Sequence, residues 1–385
     1  MSRLTDFQRI IAMNTLSGIG MGLVGIFIPI YLLELGNSIF TVIAWLLTHH
    51  ISLLIGAFLT IYLSNIVGLV RCWYVRVVLI GVLFLGLFLL PEHSPILFAL
   101  AIVSGLESAF FWIPYNILTV RKTSDSTMGS SLALMSNVAS AAGILIPGIA
   151  AFIIITYGYN TLFALAFLFI ALSIIPVLPL RRESTNFHFR QEDIRNIVKR
   201  NKAFILPEIL DNLGQDAQVV WTLFIFITAL TILDIGLLGI LAGLVGMFVT
   251  YITGKLIDKW DRKKLVRISG VGTTVMWSLS YIVAVYTPTP TLLYIVTILR
   301  GFILGVFASS YGVIMFNRAR SQDAQFLVLR EIPTILGRVV LFLLAMYFIS
   351  IDQFELTFLV VAIISLYFWF NNLDPLMAKM ETEDA

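Results

Sequence analysis

The chain has 385 residues, of which 59% are hydrophobic and only 12% are charged, and its mean hydropathy is +0.96. Soluble domains carry about twice that share of charged residues, so this composition excludes an ordinary soluble domain. The formal net charge of +3 comes from Lys and Arg that we place on one side of a membrane below, and it does not indicate a nucleic-acid partner.

Apolar segments of roughly 20 residues follow one another along the chain, which is the length a helix needs to cross the lipid core. Because the segments are continuously apolar, they favour helices over the alternating strands of a membrane barrel. We therefore predict an all-α polytopic membrane protein with twelve transmembrane helices. The predicted helices are residues 10–33, 40–63, 73–90, 96–120, 128–157, 161–180, 203–230, 235–257, 265–286, 291–316, 324–349 and 354–370.

Lys and Arg lie in every second gap between the predicted helices. Arg300, Arg330 and Arg338 lie deep inside apolar segments. The other 22 of the 25 Lys and Arg, among them Arg76 near the start of the third predicted helix, are assigned to the alternate gaps with their flanking helix ends or to the termini. The positive-inside rule places these gaps and both termini in the cytoplasm. The remaining gaps are short, which favours a bacterial inner membrane.

The longest gap divides the chain into two pseudo-symmetric halves. We predict a first six-helix bundle over residues 1–180, a cytoplasmic linker over 181–202, a second bundle over 203–372 and a cytoplasmic tail over 373–385. From Gln191 onward the linker suits an amphipathic helix on the inner leaflet, or a partly disordered connection. A shift of 196 residues aligns Ser104-Gly105 with Arg300-Gly301, and the loops of both halves follow the same order. Such internal duplication is typical of secondary transporters.

The gap after the eighth predicted helix carries a recognisable motif. Residues 254–265 read GKLIDKWDRKKL. This resembles the signature loop of the major facilitator superfamily, in which Gly is followed four residues later by Asp and then by a basic cluster. The first-half copy keeps Gly56, but Thr60 and Ser64 stand where Asp and Arg would be. The resemblance covers the whole chain in helix count, central linker and sidedness, and it implies a transporter with two six-helix halves.

The resemblance also implies a conformational latch formed by Gly254, Asp258 and Arg262. Asp258 would face the N-terminus of the fifth helix, where backbone N–H groups favour an anion. Arg262 would bind a carboxylate or the last carbonyls of a helix. The alternative is a basic loop that only obeys the positive-inside rule.

Ionisable groups at membrane depth cost about 2.5 kcal/mol or more and usually line a cavity. In the second half we predict buried ion pairs of Asp216 or Asp211 with Arg300 or Arg338. A deep Arg binds carboxylate or phosphate bidentately, so these groups are candidates for an anionic or zwitterionic substrate. A purely structural pairing is the alternative, and it applies most to Glu208, Arg330 and Glu331, nearer the inner edge.

Glu107 in the fourth helix has no evident partner in the first half. A carboxyl group in a low dielectric tends to take up a proton, so Glu107 is the first candidate for proton coupling. His49 and His50 are neighbours about 100° apart on a helix, so only one can face a central cavity and relay protons. The candidates for proton coupling are Glu107, Asp211, Asp216, His49 and His50.

Aromatic and amide side chains accompany Glu107 and give a possible substrate wall, although packing is the usual role of such residues in membrane helices. The candidates for substrate binding are Trp112, Tyr115, Asn116, Asn14, Asp216, Arg300 and Arg338. No convincing cluster of metal ligands is present, and no cofactor is expected.

These features predict a secondary transporter that works by alternating access, with proton-coupled export of a small amphipathic compound as the first hypothesis. Uptake of an organic anion or sugar is the second, and a non-transporting membrane sensor with a transporter fold is the third. An enzyme is not expected, because the sequence has no nucleotide-binding loop, no His-rich metal motif and no nucleophile with a paired base. The expected partners are a small-molecule substrate, protons and membrane lipids, and the expected state is a monomer.

Overall fold

The computed structural model describes residues 4–122, 144–180, 191–228, 230–257 and 262–370. Within these ranges every regular element is helical. The α-helices are α1 Asp6–Val24, α2 Phe27–Glu34, α3 Ile39–Val67, α4 Leu69–Leu89, α5 Leu97–Lys122, α6 Ile146–Leu172, α7 Gln191–Thr228, α8 Ile232–Ile257, α9 Arg262–Tyr286, α10 Pro290–Ser350, α11 Leu356–Ser365 and α12 Tyr367–Phe370. Short 3₁₀ turns cover Ser94–Ile96 and Ile175–Val177.

Several predicted helices are broken or joined in the structure. The first is divided into α1 and α2 at Gly25. The end of the fifth and the sixth as far as Leu172 form α6, which kinks at Gly158, where φ is +80°. That backbone region is easily reached only by Gly, so Gly158 supplies the turn between the two spans.

The helical segment α10 contains the tenth and eleventh predicted spans and reverses direction within itself. Near its start, Trp221 Nε1 donates to Thr297 Oγ1 at 2.8 Å, and further along, Arg330 Nε donates to Glu208 Oε1 at 2.8 Å. Trp221 and Glu208 lie about 20 Å apart on α7, whereas a straight helix would separate Thr297 from Arg330 by about 50 Å. The segment therefore folds back, and we call residues 290–311 its first arm and residues 329–350 its second arm.

Nine helices within the described ranges are long and apolar enough to cross a membrane, and a shorter apolar stretch covers Leu356–Phe370. The central helix α7 does not reach that apolarity because its membrane part carries Glu208, Asp211 and Asp216. The fold is the predicted all-α membrane architecture, with twelve transmembrane helices in two halves. The beginning of the fifth predicted helix lies outside the described residues.

The largest buried core joins both halves at the predicted outer end, where the connections after α2 and α9 lie. Trp45 and Ile154 from the first half belong to the same apolar cluster as Trp221 and Phe342 from the second. A second cluster, which includes Ile61 and Trp73, lies at the predicted inner end of the first half. The halves are therefore packed together at the predicted outer end.

Glycines permit the close packing of α6 against α8. A Cβ atom at Gly236 would lie 2.5 Å from Ala151 Cβ and 3.0 Å from Pro147 O. A Cβ atom at Gly239 would lie 2.5 Å from Pro147 Cβ. Small residues at such positions let helix backbones approach, which is the main source of packing energy between membrane helices.

We expect Gly236→Ala to loosen this contact and to destabilise the protein by about 1–3 kcal/mol, because the added methyl group overlaps rigid neighbours. The measurement is the midpoint of thermal unfolding in detergent. Gly18→Ala in α1 is the matched control, since a Cβ atom there meets nothing within 4 Å among the described residues. Equal midpoints for the two variants would contradict the proposed role of Gly236.

Candidate functional site

Three ionisable side chains meet where the two halves touch, and we call them the inter-half cluster. His50 comes from α3, Asp216 from α7 and Arg338 from the second arm of α10. His50 Nε2 lies 3.0 Å from Asp216 Oδ2, and Arg338 Nε lies 3.6 Å from Asp216 Oδ1. Their side chains are 8%, 15% and 25% exposed, respectively. The cluster therefore places a charged network across the boundary between the halves.

The hydrogen bonds of His50 fix the number of protons in this cluster. His50 Nδ1 lies 2.8 Å from the carbonyl oxygen of Leu46, and a carbonyl only accepts, so Nδ1 carries a proton. The 3.0 Å contact from Nε2 to Asp216 needs a second proton, on either the imidazole or the carboxyl group. While they are in contact, His50 and Asp216 therefore share one proton. When the two side chains separate, neither of them needs to keep it.

His49 contacts a different set of residues. Its Nδ1 lies 2.9 Å from Ser104 Oγ on α5, and its ring stacks on Trp45 with 6.1 Å between centroids. The His49 and His50 rings meet edge to face at 4.8 Å. His49 thus links the inter-half cluster to the polar face of α5.

The expectation that Glu107 lacks a partner in the first half is wrong. Arg76 Nε donates to Glu107 Oε2 at 3.0 Å, and Arg76 Nη1 donates to Ser17 Oγ at 2.7 Å. Both charged side chains are at most 3% exposed. Arg76 was assigned to a cytoplasmic gap, but α4 begins at Leu69 and carries it into the bundle.

A cavity of about 160 Å³ opens beside this pair. Asn14 and Trp112 line it, as predicted for substrate binding, together with Ser17 and Phe111. Tyr115 is not among the lining residues and instead stacks on Phe111, with 5.5 Å between ring centroids. Asn116 is also absent from the lining.

Glu208 organises a second polar network in the other half. Its Oε1 accepts hydrogen bonds from Asn212 Nδ2, Thr334 Oγ1 and Arg330 Nε at 2.8–3.0 Å. Asn212 Oδ1 in turn lies 3.4 Å from Arg338 Nη2, which connects this network to the inter-half cluster.

Of the predicted pairs between acids and arginines of the second half, only that of Asp216 with Arg338 forms within the described residues. Asp211 accepts a hydrogen bond from Gln215 Nε2 at 2.8 Å and lines a cavity of about 340 Å³. Arg300 is 1% exposed and packs against Trp277 and Trp221, with its guanidinium carbon 4.2 and 4.8 Å from their ring centroids. The prediction is therefore met by its alternative of Asp216 with Arg338, and among the described residues neither Arg300 nor Asp211 takes part in an ion pair. Helical spacing could not reveal that Arg300 turns toward aromatic rings.

The predicted latch stays a prediction. Asp258 lies outside the described residues, as do the surroundings of Gly254 and the side chain of Arg262. No group of His, Cys, Asp and Glu that could hold a metal ion occurs within the described part of the chain.

The fold and the buried charges define a polytopic protein with the architecture of a membrane transporter, and comparisons with known proteins specify its family. The family model of the Major Facilitator Superfamily matches residues 10–233, more than half of the chain. The chain belongs to this superfamily of secondary transporters and is an integral membrane protein.

One relative is the uncharacterized protein YqgE of Bacillus subtilis (strain 168), which is 26% identical over 279 residues. The alignment covers 68% of this chain and 64% of that relative, so the chain spans less than two thirds of the relative's length.

Solved structures with the same fold include a mutant of the nucleoside transporter NupG, with a TM-score of 0.67, 15% identity and coverage of 97% of this chain and 99% of that one. The E. coli fucose:proton symporter FucP has a TM-score of 0.68, 10% identity and coverage of 96% and 98%. A bacterial homologue of the human drug peptide transporters PepT1 and PepT2 has a TM-score of 0.69, 12% identity and coverage of 97% and 99%. At these identities the likeness shows the fold alone.

We expect Arg76→Leu to destabilise the protein by about 3 kcal/mol, because it leaves the Glu107 carboxylate buried without its partner. Combining Arg76→Leu with Glu107→Leu removes both charges and should restore much of the loss. The midpoint of thermal unfolding for the single and double variants gives the coupling between the two residues. Strictly additive losses would show that the two side chains do not stabilise each other.

Proposed function

We propose that the protein is a secondary active transporter that exports a small amphipathic compound in exchange for protons. One observation carries the proposal: the contact between His50 and Asp216 holds one proton and joins the two halves. In alternating access the halves rock about a central site. A proton held between them is therefore coupled to the change of conformation.

The coupling follows from the geometry of the inter-half cluster. Opening the predicted outer end separates α3 from α7 and breaks the contact of His50 with Asp216. The Asp216 carboxylate then keeps Arg338 as its partner, and His50 keeps its hydrogen bond to Leu46. Closing the outer end again requires one proton to be placed between Nε2 and Oδ2.

The net charge of the cluster supports proton release on the inner side. With the shared proton, His50 and Asp216 together are neutral and Arg338 makes the cluster +1. Without it, His50 is neutral and the charges of Asp216 and Arg338 cancel. Because an uncompensated charge is costly at membrane depth, the deprotonated cluster is the better-neutralised state. A substrate that enters from the inner side would displace the proton at little electrostatic cost.

The cavity beside Glu107 suits an amphipathic substrate. Phe111 and Trp112 offer apolar surface, while Asn14 and Ser17 offer hydrogen-bonding groups. Arg76 and Glu107 neutralise each other at its wall, so the described lining of the cavity provides no free charge to bind an anion. Protonation of Glu107 would release Arg76, which makes Glu107 a second coupling group in this proposal.

Uptake of an organic anion is the second candidate function. It is favoured by the guanidinium group of Arg300, whose Nε and Nη1 are buried without a hydrogen-bond partner. A sensor with a transporter fold would bind its ligand without moving protons, so proton flux separates that alternative from both transport hypotheses.

The setting of the protein belongs to the same proposal. Positive-inside sidedness supports a bacterial inner membrane with both termini in the cytoplasm. We propose that the protein acts as a monomer and that Gly254, Asp258 and Arg262 latch the inner side.

The test has two stages. A panel of compounds is first screened by thermal stability of the purified protein at two pH values, which identifies a ligand. The protein is then reconstituted in liposomes that contain a pH-sensitive dye, and the ligand is added to one side. We expect ligand-driven proton movement in the wild type. In Asp216→Asn and His50→Gln we expect movement about a hundredfold slower or more, because a positioned proton-transfer group contributes about 10²–10⁴-fold.

His93→Gln is the matched control, because His93 is exposed in the connection between α4 and α5. It should move protons at the wild-type rate. Ligand transport that proceeds without proton movement in the wild type would refute proton coupling. Ligand binding without transport would favour the sensor.

A further inference from the structure

Arg300 is a buried cation without a compensating anion in the described part of the chain. Its side chain is 1% exposed, and no carboxylate forms an ion pair with it there. The faces of Trp221 and Trp277 lie against the guanidinium group and stabilise its charge. Stacking on a ring face does not satisfy the N–H groups at the guanidinium edge. Nε and Nη1 of Arg300 are left without acceptors.

The neighbouring unsatisfied groups are also donors. Trp277 Nε1 is buried without a partner, and so is Gln218 Nε2, which lies three residues before Trp221 on α7. An indole N–H, an amide NH₂ and a guanidinium group can only donate through these nitrogens. The group that would satisfy them must therefore accept hydrogen bonds, and the charge of Arg300 favours an anion. Buried donors without acceptors carry the full cost of their lost hydration, and an anion that accepts hydrogen bonds from them would recover part of that cost.

The cavity of about 340 Å³ in the second half borders this group of donors through Gln218. Gln218, Thr273 and Gly301 line it, and Gly301 is the chain neighbour of Arg300. Asp211 also lines the cavity, but it lies seven residues before Gln218, about 10 Å along α7. An anion held near Arg300 is thus kept apart from the only carboxylate among the described lining residues.

We propose that Arg300, with Gln218 and Trp277, binds a small anion within the second half. The anion is either a monovalent inorganic ion such as chloride or the carboxylate of a small organic molecule. This site is separate from the inter-half cluster and does not depend on the function proposed above.

The experiment measures thermal stability of the full-length protein in detergent. Sodium chloride and sodium acetate are titrated separately and compared, at equal ionic strength, with the sodium salt of HEPES, a bulky sulfonate. We expect at least one of the two small anions to raise the unfolding midpoint of the wild type in a saturable manner, because a ligand that binds only the folded state stabilises it. Saturation by chloride alone assigns an inorganic ion, whereas saturation by acetate assigns a carboxylate site.

Three variants identify the residue responsible. Arg300→Gln should lose the saturable rise, and it should be at least as stable as the wild type in the HEPES salt because it removes an uncompensated buried charge. Arg267→Gln, at an exposed position on α9, should keep the full response. Arg300→Lys keeps the charge without the planar fork, so its half-saturating concentration should rise about tenfold or more.

A purely structural role for Arg300 gives the opposite pattern. Arg300→Gln would then be less stable than the wild type in every salt, and neither small anion would give a saturable rise in the wild type. That result overturns the proposal. If Arg300→Gln cannot be purified, an unchanged half-saturating concentration in Arg300→Lys overturns it equally.

Discussion

A hydrogen bond between His50 and Asp216 joins the two halves, and the proposed proton coupling depends on it. Glycine contacts within each half position its two partners. A Cβ atom at Gly105 would lie 2.7 Å from Ser52 Cβ and 2.8 Å from Leu53 N. Helix α5 can therefore approach α3 this closely only because residue 105 has no Cβ atom. In the other half a Cβ atom at Gly337 would lie 3.0 Å from the carbonyl carbon of Ile209, which brings Arg338 close to α7. The cluster is thus held by backbone packing on both sides, and its one proton is the part that can change.

Four arginines of the membrane-spanning helices, Arg76, Arg300, Arg330 and Arg338, are accommodated in different ways, and the differences indicate different roles. Arg76 and Arg330 each have a buried carboxylate of the same half as partner, which suits fixed structural pairs. Arg338 pairs with Asp216, which also contacts His50 of the other half, so its surroundings change when the halves separate. Arg300 has aromatic faces but no anion in the described structure. Because removing one partner of a buried pair costs several kcal/mol, the paired arginines constrain the fold, whereas Arg300 leaves hydrogen-bonding capacity for a ligand.

Helix number and the division into halves were predictable because the length of an apolar segment is a property of consecutive residues. The pairing of Asp216 with Arg338 was among the predicted alternatives, since both lie deep in segments of the same half. The contact of His50 with Asp216 was not, because nothing in local spacing relates residues from different halves. The buried ion pair of Arg76 was missed for another reason. Arg76 lies at the cytoplasmic end of its segment, so the positive-inside rule already explained its charge and no partner was sought. The kink at Gly158 and the reversal within α10 leave the predicted spans intact.

The most direct test of the account is the protonation of His50 itself. The chain has only four His residues, so nitrogen NMR of protein labelled with ¹⁵N-histidine, with His50→Gln as the spectrum for subtraction, isolates its two ring nitrogens. We expect a protonated Nδ1 and an Nε2 signal that shifts in Asp216→Asn but not in Asp6→Asn, a change near the start of α1. An unprotonated Nδ1, or an Nε2 signal that is the same with and without the Asp216 carboxylate, would contradict the shared proton and the coupling built on it.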